Sequence, residues 1–143
     1  MKTLNKPNND AATVDRCAGQ VVRIPVTPIG KPRMTRQDRW TDKHAGKGRP
    51  AVLGYFAFQD ELLMRLPHFQ LGQRLSITFY LPMPKSWSQK KRLATIGQPH
   101  DQKPDIDNLV KGFMDTFAAE DKHVAILHAE KYWAEKGAIT IFL

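Results

Sequence analysis

Lys103-Pro-Asp-Ile-Asp-Asn-Leu-Val-Lys-Gly-Phe-Met-Asp-Thr-Phe117 sets two carboxylates, two residues apart, at the head of an apolar-patterned helix. Pro104 biases Lys103 towards extended backbone, so the helix is predicted to start beyond the proline. Asp105 and Asp107 then fall on one side of a short extended segment, because extended chain repeats every two residues. Asp107 or Asn108 is placed to cap the helix, with Leu109, Val110, Phe113, Met114 and Phe117 as its buried face. Lys111 lies one helical turn beyond Asp107 and shares its side. A second acidic pair, Glu120-Asp121, follows the helix. Carboxylates brought together repel unless a cation lies between them, and oxygen-only ligands favour Mg²⁺, Mn²⁺ or Ca²⁺ over zinc.

Each piece also has a plainer reading. Asp107 as a mere cap, Lys111 and Asp115 as an exposed i,i+4 pair, and Glu120-Asp121 as an acidic turn account for the parts separately. A D-x-D alone is weak; Asp-x-Asp-Asn-x-x-Lys with an acidic doublet one helix length later is far more specific.

Outward from this motif, the chain reads as one domain over residues 20–143, preceded by a polar, aperiodic arm at 1–19 read as disordered or loosely attached. Val22, Ile24 and Val26 alternate with polar neighbours as a strand, which Pro25 puts at an edge or bulge. Residues 51–66 carry a helical apolar face of Val52, Tyr55, Phe56, Phe58, Leu62 and Leu63, closed by Pro67. Leu75, Ile77, Phe79 and Leu81 mark a half-buried strand, and Ser86 or Ser88 is placed to cap a short helix through Ala94. Residues 123–133 and 138–143 read as two strands joined by a Lys136-Gly137 turn, with Val124, Ile126, Ile139, Ile141 and Leu143 inward. The order predicts an α+β fold, helices packed on a small mixed or antiparallel sheet.

Lys and Arg outnumber Asp and Glu by 22 to 14, for a formal charge of +8 and a pI near 9.8, which favours a polyanionic partner. Two basic segments concentrate this charge. The irregular stretch at 31–49 holds Lys31, Arg33, Arg36 and Arg39 with Trp40 in its middle; the second holds Lys85, Lys90, Lys91 and Arg92 beside Trp87. Cations can neutralise phosphates and an indole can stack on an unpaired base, against the plainer reading of solvated faces. Cys17 is the only cysteine, which excludes a disulfide scaffold and a thiolate zinc site within one chain. No apolar run is long enough to span a membrane and no signal-peptide pattern opens the chain, so a cytoplasmic setting is expected. The five histidines are scattered and read by default as surface or core residues; His100 and His123, nearest the motif in sequence, are the two that could touch a substrate.

The run Asp105-Ile-Asp107-Asn108-Leu-Val-Lys111, with Asp115 and Glu120-Asp121 after it, resembles the RusA family of Holliday junction resolvases. Lys31-Pro-Arg-Met-Thr-Arg36 and Pro82-Met-Pro-Lys-Ser-Trp87 resemble its phage and prophage branch, and the likeness extends over about residues 22–143. It implies a homodimeric, Mg²⁺- or Mn²⁺-dependent endonuclease that nicks four-way DNA junctions symmetrically. By the same resemblance Asp105, Asp107 and Asp121 correspond to the catalytic metal-binding aspartates and Lys111 to the catalytic lysine, with Asn108 and Glu120 as accessory positions. Glu120 departs from the family's double aspartate. The alternatives are a non-catalytic nucleic-acid-binding module, a nuclease for flaps, forks or RNA, and a metal-binding regulator without a nucleic-acid role.

Overall fold

The structure, a computed structural model, describes residues 20–38, 48–117 and 122–143. The arm at 1–19, Arg39 and Trp40 of the basic segment, and Glu120-Asp121 lie outside these residues. Strand β1 (Val21–Ile24) is followed by helix α1 (Pro50–Arg65), β2 (Arg74–Pro82), α2 (Gln89–Thr95), α3 (Ile106–Phe117), β3 (Ile126–Ala134) and β4 (Ala138–Phe142). This is the α+β order expected from the sequence.

The four strands form one mixed sheet in the order β1-β4-β2-β3. β4 runs antiparallel to β1 and β2, while β3 runs parallel to β2. The registers set Ile77 between Ala129 and Ile141, and Phe79 between Lys131 and Ile139. Leu75, Ile77, Phe79 and Leu81 therefore share one sheet face, and Tyr55, Phe58 and Leu62 of α1 pack there with Leu109, Val110, Phe113 and Met114 of α3. Burying these side chains, at about 1.5–3 kcal/mol each, is what holds α3 on the sheet. The other sheet face carries Arg23 against the Tyr80 ring, 5.1 Å from its centroid, with Tyr132 beside it.

Several sequence expectations need correction. β3 and β4 are joined by a three-residue connection, 135–137, yet they are not neighbours, because β2 lies between them. The reason is burial. Ala138 to Ile141 are buried throughout and β2 is buried along most of its length, so these two strands take the sheet centre, while the more polar β3 takes an edge. Ile126 and Leu143, read as inward, are 47% and 52% exposed at strand ends; Trp133 is the buried residue of β3. Leu63 of α1 is exposed and Phe56 only partly buried, because the face centres on Val52, Tyr55, Phe58 and Leu62. β1 ends before Pro25, at the sheet edge, as the proline requires. Ser88 caps α2, its Oγ accepting from the Lys91 N–H at 3.2 Å.

The described ends of the basic segment share a hydrogen-bonded ion pair. Buried Asp38 accepts from the Thr35 N–H and hydroxyl at 2.8 and 2.9 Å and pairs with Arg49, which also donates to the Arg33 carbonyl at 2.8 Å. The Arg49 guanidinium holds the Asp38 carboxyl well below the usual carboxylate range. Arg33, Thr35 and Asp38 are thus tied to Arg49, the residue before α1.

Candidate active site

The acidic motif starts from a loop fixed by a lysine of the sheet. Lys131 Nζ, on β3, donates to the carbonyls of Gln102 at 2.6 Å and Pro104 at 2.8 Å. The Lys103–Pro104 peptide is cis. Helix α3 then begins at Ile106, and the Asp105 carbonyl accepts from the Leu109 N–H at 3.1 Å. Asp105 therefore occupies the capping position and Asp107 lies inside the first turn. This corrects the extended Asp105–Asp107 segment and the Asp107 or Asn108 cap read from the sequence. Two negative charges are favourable at this end of a helix, where unpaired N–H groups leave partial positive charge. Both side chains are exposed, and neither makes an ion pair or side-chain hydrogen bond among the described residues.

A second segment, residues 29–31, is laid against the same helix. The Lys31 N–H donates to the Asn108 carbonyl at 3.1 Å. The close approach needs glycine on α3: a Cβ at Gly112 would stand 3.2 Å from the Ile29 carbonyl oxygen and 3.2 Å from the Tyr55 ring. So seated, Lys31 Nζ meets Asp115 Oδ2 at 2.5 Å, while Lys111 Nζ stands 3.3 Å from Asp115 Oδ1. Asp107, Lys111 and Asp115 follow at four-residue intervals along one side of α3, and Asp115 holds two ammoniums at once. Burial, and then the Asp115 charge above it, push the Tyr55 phenol up to about 12. Gly30, Lys31, Lys103, Pro104, Asp105 and Asn108 line an open groove at the helix start.

The other sequence candidates lie on several elements of the fold. Arg33 and Arg36 are exposed on the segment after Lys31, and Lys85, Lys90 and Lys91 are exposed around α2. Arg92 donates to the Pro84 carbonyl at 2.9 Å and pairs with Glu135 at 3.0 Å, which engages two of the five guanidinium donors. His100, read as able to reach substrate, is buried with its ring 4.0 Å from that of Trp133, and burial lowers its pKa. His123 is exposed. Arg39, Glu120 and Asp121 lie outside the described residues, and among the described residues no three His, Cys, Asp or Glu side chains gather as a metal cage. Sequence reasoning missed the bridge from Lys31 to Asp115 and the Lys131 clamp, because each joins residues far apart in the chain.

The start of α3 thus carries an open groove lined by Asp105, Lys31 and Lys103, with Asp107 exposed on the first turn of the helix. The family model described as endodeoxyribonuclease RusA matches residues 24–143. The chain belongs to the RusA endodeoxyribonuclease family, a family of DNA-cleaving enzymes. No individual curated protein matches it. Among the described residues no helix is long and apolar enough to cross a membrane.

Proposed function

We propose that this protein is a homodimeric, structure-specific endonuclease that resolves four-way DNA junctions by divalent-metal-dependent hydrolysis of two symmetry-related phosphodiesters. The observation that carries the reading is the family match over a chain whose Asp105 and Asp107 stand at the start of α3, with Lys111 one turn on and paired, like Lys31, with Asp115. The residues fit a hard cation: Asp105 and Asp107 offer only oxygen donors, exposed and not engaged by lysine or arginine among the described residues. Asp105 and Asp107, with Asp121 as third ligand, are the residues assigned to hold Mg²⁺ or Mn²⁺. Bound there, the ion supplies charge stabilisation at the phosphoryl oxygens and a more acidic water.

The chain's own residues do the rest. Lys111 faces the phosphate whose charge grows in the transition state, and Lys31 reaches the same place from the other side of Asp115. Asp115 keeps both ammoniums oriented before substrate arrives, so little reorganisation is left to the chemical step. Lys131 holds the backbone carbonyls of Gln102 and Pro104 and so anchors the loop that leads into Asp105. Arg33, Arg36, Lys85, Lys90 and Lys91 are the exposed cations assigned to the phosphate backbone, contacts that position DNA without reading its sequence. A two-fold enzyme presents two identical sites to the two equivalent strands of a junction.

The test is a substrate panel. Nicking rates in Mg²⁺ on an immobile four-way junction, a flap, a fork and linear duplex are expected to favour the junction by at least about tenfold. Equal rates on flap and junction would replace the junction by branched DNA in general. Binding without nicking of any substrate would leave a non-catalytic DNA-binding module.

A further inference from the structure

We propose that a hollow between α2 and the 98–102 loop accepts one unpaired nucleobase next to the phosphodiester that is cut; this rests on the nuclease reading above. The hollow has a volume of about 290 Å³ and is walled by Trp87, Lys91, Thr95, Gln98, Asp101 and Gln102, with Trp133 beneath. Both walls are built before any ligand arrives. On one side the Ser88 cap and Arg92 fix α2. On the other, the loop is laced to β3: the Gly97 N–H donates to the Trp133 carbonyl at 2.9 Å, the Trp133 N–H to the Gln98 carbonyl at 3.0 Å, and the His100 N–H to the Lys131 carbonyl at 3.0 Å.

The chemistry of the lining is that of a base site. Half-buried Trp87 leans on Trp133, ring centroids 4.9 Å apart, and holds the Lys91 ammonium over its own face at 4.1 Å. An indole face that already attracts a cation is a stacking platform for a base, and the displaced ammonium is then free to meet the adjoining phosphate. The side chains of Gln98, Asp101 and Gln102 line the hollow and make no hydrogen bond among the described residues. Two carboxamides and a carboxylate are the groups that pair with base edges through donor–acceptor sets. Exposed Lys85 and Lys90 stand nearby in sequence on the same unit.

Position ties the hollow to the cut. Gln102 lines it, and the next residue, Lys103, lines the groove at Asp105. The Lys131 ammonium grips the carbonyls on both sides of that step. Base and scissile phosphate are thereby held in a fixed relation, and the pocket gives the enzyme a means of preferring one nucleotide beside the nick.

The test is equilibrium binding in EDTA, so that nothing is cut, to four-way junctions in which each nucleotide near the branch point is made abasic in turn. One position is expected to lose about tenfold in affinity or more, the scale of a stacked base. That loss is expected to shrink in the Gln98→Ala/Gln102→Ala variant, whose changes are on exposed side chains and which keeps the stacking platform, and to vanish in Trp87→Ala if that variant folds. Equal affinity at every abasic position, or a penalty unchanged by the glutamine substitutions, overturns the proposal. Wild-type nicking of the intact junction in Mg²⁺ is measured alongside. An enzyme that nicks but ignores abasic sites removes the pocket alone, whereas one that shows the penalty but never nicks removes the catalytic reading alone.

Discussion

Asp115 accepts from Lys31 at 2.5 Å and stands 3.3 Å from Lys111, so one partly buried carboxylate sets the place of two cations. Removing its charge while keeping its shape frees both. Asp115→Asn is expected to lower kcat about tenfold to a hundredfold with little change in KM, because misplaced groups cost rate more than binding. Lys31→Met made in that background is expected to cost clearly less than in wild type; single-turnover nicking of the four variants measures the coupling. Additive effects would mean that the two residues act separately. His100 gives a pH signature of the fold: burial lowers its pKa first, and the Lys131 charge adds to this. The folded state thus favours the neutral ring, so its contribution is present above the ordinary value of 6.5 and is lost as pH falls below it. Urea midpoints across this range are expected to fall on acidification, and to fall less in His100→Gln. At this scale the spacing of Asp105, Asp107 and Lys111 was readable in the sequence because all three fall within seven consecutive residues. Lys31 with Asp115, 84 residues apart, was not, because only the fold brings them together.

Helix α3 is the element that converts the fold into a site. Its apolar side is buried against the sheet and α1, its start carries Asp105 and Asp107, and its flank receives residues 29–31. Gly112 is where that last contact is closest, and a methyl there would press on the Ile29 carbonyl oxygen and the Tyr55 ring. Gly112→Ala is expected to destabilise the protein by about 1–3 kcal/mol as overpacking, and also to slow nicking by displacing Lys31; thermal melts and rates on one sample check both. A stable variant with full activity would show that the 29–31 segment does not position the site. The helices were legible from apolar spacing and from Pro50, Pro67 and Pro104 at or near their ends. Strand pairing was not. Alternation marks which residues face a core, but nothing local in residues 126–142 says that β2 will lie between β3 and β4.

On the scale of the whole molecule, the family pattern, the basic charge and the aspartates at the start of α3 converge on DNA cleavage, and much of that convergence was visible in the sequence because the motif is compact. The hollow beside Trp87 was not, since it needs α2, the 98–102 loop and β3 together. The central claim is that Asp105 and Asp107 at the start of α3 cut branched DNA. The measurement that tests it most directly compares wild type with Asp107→Asn on one immobile four-way junction in Mg²⁺, following nicking of both strands and binding in the same samples. The account predicts paired, symmetrical nicks with wild type and a loss of at least about a hundredfold in the variant, with junction affinity within about threefold. Nicking that survives Asp107→Asn at the wild-type rate would contradict it.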